Sequence, residues 1–156
     1  MNRKQKTICF SSSSGGHFEQ LMMLEPLMKK YNSFIVTEKI GYNIETNNIP
    51  LAFVQQINRT DRWFLMKFIR NIWTSLGIVL KYKPNIIIST GALATVPIMF
   101  WTKIFGGKII YIESFAKIAT PTLSGRFAYK IADQFYVQWE SMKKFYPKAI
   151  CRGGIY

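Results

Sequence analysis

Residues 85–90 read Asn-Ile-Ile-Ile-Ser-Thr, and three consecutive isoleucines leave a strand with no polar face. A strand that is apolar on both sides needs cover on both sides, which is the condition of a buried parallel sheet. The segments around it repeat the pattern. Strand-like runs at 7–11, 33–37 ("SFIVT"), 49–55 ("IPLAFVQ"), 108–113 ("KIIYIE") and 134–138 ("QFYVQ") alternate with helical patterns at 17–31, 62–82, 94–105 and 123–132. A short helix and the segment "AICRGG" close the chain. Strands alternating with helices predict an α/β fold, a Rossmann-like doubly wound parallel sheet. With 156 residues, no internal repeat and no long linker, residues 1–156 read as one domain able to bury its own core.

Charge constrains the partners. Lys plus Arg is 21 against 8 for Asp plus Glu, a formal +13, and such a balance calls for an anionic partner: nucleic acid, an anionic leaflet or a phosphate-rich substrate. Hydrophobic residues at 49% and aromatics at 15% exclude disorder. Cys9 and Cys151 have neither zinc spacing nor a disulfide framework, which favours a reducing compartment. The basic start "MNRKQKT" runs into a strand too short for a signal-peptide core, and no apolar run reaches the 18 or so residues of a membrane span. These features predict a cytoplasmic protein with no metal and no bound cofactor.

In doubly wound sheets ligands sit beyond the carboxyl ends of the strands, so the loops that follow strands carry the chemistry. The first is "SSSSGGH", residues 11–17, where Ser14, Gly15 and Gly16 precede His17, the chain's one histidine. Its glycines permit a sharp turn, and the helix that follows offers N–H groups to an anion. It is neither a Walker loop nor a G-x-G-x-x-G dinucleotide fingerprint. By itself His17 reads equally as a cap, a packed ring or a catalytic base. The second loop, "STGALATVP", places Thr90 and Gly91 at a strand end, suited to phosphate or to a plain helix cap. The third begins at Glu113 and Ser114, where a carboxylate either binds a hydroxyl or stabilises the loop.

Taken in order, "SSGGH", "STGALATVP" and "ESFAK…TLSGRFAYKIADQFYVQW" resemble the N-terminal half of MurG-type GT-B glycosyltransferases. More narrowly, they resemble the membrane-side subunit of the two-part N-acetylglucosaminyltransferase of the dolichol pathway, and its relatives from bacterial capsule and exopolysaccharide clusters. The resemblance spans essentially the whole chain. It implies an acceptor-binding half, inactive or nearly so alone, because "CRGGIY" falls where the crossover to a donor-binding half would begin. A separate donor-binding glycosyltransferase subunit, holding most of the UDP-sugar, is then the expected partner. A lipid-linked saccharide is the expected acceptor. On this footing the Gly15-Gly16 turn, with Ser14, is expected to hold the acceptor's diphosphate, and His17 to take the proton of the attacking hydroxyl. Thr90 and Gly91 would supply donors near the acceptor, and Glu113 and Ser114 would line the same cleft, Glu113 as a second catalytic residue that orients the loop or a sugar hydroxyl.

One departure bears on membrane attachment: the eukaryotic subunit carries an N-terminal membrane helix and this sequence shows none. Attachment is therefore expected from residues 62–83. At 100° per residue Leu65, Phe68, Ile69, Ile72, Leu76 and Val79 form the core stripe, leaving Trp63, Phe64 and Ile78 outward among Lys67, Arg70 and Asn71. Aromatics among cations suit an anionic membrane surface. Met99, Phe100, Trp101 and Phe105 of the next helix are a second apolar surface for bilayer or partner. The competing functions are a basic nucleic-acid-binding domain and a stand-alone nucleotide-binding Rossmann protein. The first lacks an RRM, KH or helix-turn-helix signature, and the second lacks a glycine-rich cofactor fingerprint and a well-placed ribose acid.

Overall fold

The computed structural model describes residues 6–41 and 46–156, so the start of the basic N-terminal stretch lies outside the described residues. Seven strands, β1 (Thr7–Ser12), β2 (Asn32–Glu38), β3 (Leu51–Val54), β4 (Ile86–Gly91), β5 (Lys108–Ile112), β6 (Gln134–Val137) and β7 (Ile150–Cys151), form one sheet in the order β3-β2-β1-β4-β5-β6-β7. Every neighbouring pair runs parallel, as the doubly apolar strands require. The chain winds outward from β1 through β2 to β3. It then crosses back to β4, on the other side of β1, and winds outward again. The switch in winding direction falls between β1 and β4.

Alternate residues of each strand face opposite layers. Ile8, Phe10, Ile35, Ile88 and Ile112 meet Leu21 and Met28 beneath α1 (Gly16–Met22) and α2 (Glu25–Met28). Cys9, Phe34, Val36, Ile87, Ile109 and Tyr111 meet the layer of α3 (Phe64–Tyr82), α4 (Val96–Ile104) and α5 (Leu123–Ile131). The single helix expected over 17–31 is two short ones. Pro26 sits in the first turn of α2, where its missing N–H costs nothing, whereas inside one long helix it would remove a hydrogen bond.

The core face of α3 differs from the stripe that hydrophobicity predicts. Its buried residues are Asn71, Ser75, Ile78 and Val79, whereas Leu65 and Ile69 are 67% and 47% exposed. The helix is rotated by roughly a quarter turn from the expected orientation. The cause is polar. Asn71, fully buried, accepts from the Gln55 N–H at 2.8 Å and donates to the Gln55 carbonyl at 2.7 Å, satisfying the backbone just past β3. On α4, Met99 is buried, and the half-buried Trp101 donates its indole N–H to the Ile72 carbonyl at 3.0 Å. The large apolar side chains these two helices leave exposed are Leu65, Met66, Ile69, Trp73 and Leu80 on α3, and Phe100 and Ile104 on α4, followed by Phe105. Among the described residues no helix is long and apolar enough to cross a membrane.

Candidate functional site

The loops that follow β1 and β4 leave the sheet at its switch point, the place where doubly wound sheets take their ligands. Gly15 turns the chain from β1 into α1 at φ +71, a backbone conformation that L side chains rarely adopt. Its carbonyl then accepts the first helical N–H groups, from Phe18 at 2.8 Å and Glu19 at 3.1 Å. β4 ends at Gly91, φ +107. Two reciprocal hydrogen bonds stitch these loops together. Thr90 Oγ1 donates to the His17 carbonyl at 2.9 Å, and His17 Nδ1 lies 2.9 Å from the Thr90 carbonyl.

The second bond fixes the chemistry of the ring. A carbonyl only accepts, so Nδ1 carries the hydrogen, and in the neutral imidazole Nε2 is then a bare acceptor. Nε2 has no hydrogen-bond partner among the described residues. Gly91 is the floor of this arrangement. A Cβ there would stand 2.9 Å from the Tyr111 hydroxyl and 3.5 Å from His17 Cε1. Gly91→Ala is accordingly expected to cost about 1–3 kcal/mol from backbone strain. A lowered urea midpoint at unchanged m-value would show it.

Ser14 donates its N–H and its hydroxyl to Glu38 Oε2 at 3.4 and 3.3 Å. The other oxygen of this buried glutamate accepts from the Ile57 N–H at 3.3 Å. Glu38, at the end of β2, was not legible as a site residue, yet it joins the histidine loop to the segment beyond β3.

Sequence reasoning places Glu113 on the cleft in a catalytic role; the structure encloses it. Its side chain is 1% exposed. It accepts from the Ser114 N–H at 3.0 Å, the Thr122 hydroxyl at 2.9 Å and the Tyr146 hydroxyl at 2.8 Å, with all three partners inside the chain. Thr122 in turn caps α5 by accepting from the Gly125 N–H at 2.8 Å. The geometry therefore makes Glu113 the anchor of α5 and withdraws it from direct contact with a substrate. Ser114 is buried beside it. From Thr122 the hydroxyl chain continues through Ser124 to Tyr111, 3.1 Å from Ser124 Oγ, directly under Gly91. Burial first, and then the negative Glu113, push the Tyr111 and Tyr146 hydroxyls well above the ordinary tyrosine range, so both remain O–H donors. Tyr111, Thr122, Ser124, Gly125 and Tyr146 escaped the sequence reading. The Thr-x-x-Gly spacing at 122–125 was the one available signal, an N-cap three residues ahead of its N–H donor.

The residues read as membrane-facing lie apart from this cluster. Trp63, 56% exposed, precedes α3, with the Arg62 guanidinium 5.9 Å from its ring centre. Phe64 is half-buried and stacked on Phe68, Lys67 pairs with Asp61, and Arg70 lines a groove between β3 and α3. Among the described residues no cluster of His, Cys, Asp or Glu could hold a metal ion.

A family model described as "Oligosaccharide biosynthesis protein Alg14 like" matches residues 55–155. The Mus musculus protein named UDP-N-acetylglucosamine transferase subunit ALG14 is 35% identical, over 98% of this chain and 84% of its own length. Among solved structures, the MurG protein of Acinetobacter baumannii superposes with a TM-score of 0.71 at 12% identity, over 87% of this chain and 42% of that one. A UDP-N-acetylglucosamine 2-epimerase from Rickettsia bellii reaches 0.74 at 11% identity, over 97% and 45%. At these identities the likeness shows the fold alone: the expected Rossmann-like sheet. The chain spans less than half the length of these solved structures.

Proposed function

Because the chain belongs to the Alg14-like family of oligosaccharide biosynthesis proteins, we propose that it is the acceptor-side subunit of a two-component UDP-sugar-dependent glycosyltransferase. The observation that carries this reading is His17 at the switch point, its Nδ1–H held by Thr90 and its Nε2 bare. An acceptor hydroxyl lying against Nε2 loses its proton to the ring as its oxygen attacks the anomeric carbon of the sugar nucleotide, and UDP departs. Gly15 and Gly16 give the acceptor close access to the backbone, Thr90 orients the ring, and Glu113 and Ser114 hold α5 and its loop behind the site. A separately encoded subunit supplies the donor half. The mouse relative's name makes UDP-N-acetylglucosamine the first donor to test.

The acceptor is a saccharide on a lipid diphosphate, and the chain meets it at the cytoplasmic leaflet as a peripheral protein. The support is the +13 charge together with the exposed Leu65, Met66, Ile69 and Trp73 beside Arg62 and Arg70. Trp63, Phe100, Ile104 and Phe105 add to this surface, while Phe64 and Trp101 contribute mainly packing. Each cation near an anionic leaflet adds about 1 kcal/mol, and the apolar side chains add burial. The charge that suggested nucleic acid is thereby assigned to lipid and diphosphate.

Reconstitution tests the proposal. The chain and its donor-half partner, mixed with UDP-N-acetylglucosamine and a lipid-diphosphate saccharide, are expected to transfer sugar, and each alone to transfer essentially none. Transfer by this chain alone would instead support the stand-alone nucleotide-binding reading. In flotation, the chain should rise with anionic liposomes at low salt and remain below when Leu65, Ile69 and Trp73 are all serine. A wild-type chain that stays in the soluble fraction would defeat the membrane reading.

A further inference from the structure

A groove of about 610 Å³ opens between the edge strand β3 and the N-terminal half of α3. Its walls are fixed: Asn71 clamps the Gln55 backbone on one side, and buried Glu38 ties the Ile57 N–H and the Ser14 loop on the other. Lys39 enters from the end of β2, and Lys67 and Arg70 enter from α3. The one acid among the described lining residues, Asp61, is already paired with Lys67, and Arg70 makes no ion pair among the described residues. The Gln55 side-chain oxygen is buried there without a partner among the described residues.

We propose that this groove is the subsite for the diphosphate of the lipid-linked acceptor, an inference that rests on the acceptor-side reading above and relocates the diphosphate from the Gly15-Gly16 turn. α1 is seven residues long and starts without a side-chain cap, whereas the groove offers side-chain cations from two directions. A guanidinium matches phosphate oxygens with paired N–H donors, and a lysine adds a point charge. Position argues as strongly as charge. Arg70 adjoins Ile69 on α3, whose exposed face would take a prenyl chain. At the other end, Glu38 links the groove to Ser14, three residues from His17. β1 and β3 are two strand spacings apart, ~10 Å, so a diphosphate in the groove places the first sugar ring or two toward His17. A molecule with an apolar tail, an anionic middle and a polar head fits the sequence of surfaces along this edge.

The test uses geranyl diphosphate, geranyl monophosphate and UDP as soluble probes, with calorimetric binding to the purified chain. Diphosphate is expected to bind at least about tenfold tighter than monophosphate, since charge-assisted hydrogen bonds are lost with the second phosphate. Arg70→Gln with Lys39→Gln should weaken it by about tenfold or more, with an unchanged Tm showing that the fold is intact. UDP should not displace it, which separates the acceptor's diphosphate from the donor's. The Leu65/Ile69/Trp73 serine variant should lose liposome binding yet keep the preference for geranyl diphosphate over geranyl monophosphate, since both carry the same tail, which separates the groove from a lipid-headgroup surface. In the reconstituted enzyme the groove variant should raise acceptor KM more than it lowers kcat. No diphosphate binding by the wild-type chain, or equal binding by the double variant, would overturn the inference. If the double variant leaves acceptor KM unchanged while His17→Ala abolishes transfer, the groove fails and the acceptor-side reading stands. If the reconstituted pair transfers nothing, the acceptor-side reading fails whatever binds in the groove.

Discussion

Gly125→Ala is expected to be the most damaging glycine-to-alanine change among the described residues. Gly125 lies in the first turn of α5, and a Cβ there would land on Glu113 Oε2, 2.6 Å from the Tyr146 hydroxyl and 2.7 Å from Thr122 Oγ1. All three atoms belong to one hydrogen-bonded knot, so none can withdraw without leaving a buried carboxyl short of donors. Overpacking costs about 1–3 kcal/mol and the broken carboxyl bonds add a similar amount, so a total near 4 kcal/mol is expected. That is a large part of the 5–15 kcal/mol that holds a typical domain together. The variant should lose most of its soluble yield and show a strongly lowered urea midpoint. Glu113→Asp, which draws the carboxyl back from α5, should recover part of the loss in the double variant although it destabilises alone. Full stability in Gly125→Ala would mean that α5 does not rest on Glu113.

Strand residues announced themselves, and helix faces did not. "NIIIST", "SFIVT" and "KIIYIE" are apolar on both faces because both faces are covered, so the parallel sheet followed from local pattern alone. α3 misled because its most apolar stripe is not its buried one. Periodicity assigns Asn71 to solvent, but Asn71 is the side chain that satisfies the backbone beyond β3, and no window of sequence around residue 71 contains Gln55. Glu38 escaped because it reads as a polar strand end and its donors lie 19 and 24 positions away, and the enclosure of Glu113 was hidden because the Tyr146 hydroxyl that closes on it is 33 positions away. His17 with Thr90 and Gly91 was legible because both loops carry glycine at a strand end, where backbone geometry alone demands it. The reciprocal bonds that set the histidine tautomer join residues 73 positions apart and became visible only in the folded chain.

His17→Ala is expected to lower turnover of the reconstituted glycosyltransferase about 10²–10⁴-fold, the range for loss of a positioned general base. Partner binding and acceptor KM should change little, because Nε2 contributes when the proton moves, not when the acceptor docks. The substitution also removes the bond to the Thr90 carbonyl, so alanine alone confounds chemistry with loop geometry. His17→Asn separates them. An asparagine amide can donate to the Thr90 carbonyl from nearly the position of Nδ1, but it has no basic nitrogen where Nε2 stands. If the histidine acts by taking the proton, His17→Asn should regain the thermal stability lost in His17→Ala and still be as slow. If His17 only stitches the two loops, the asparagine variant should recover both stability and turnover. The base would then have to come from the donor-half partner, and the bare Nε2 at the switch point would be a consequence of packing.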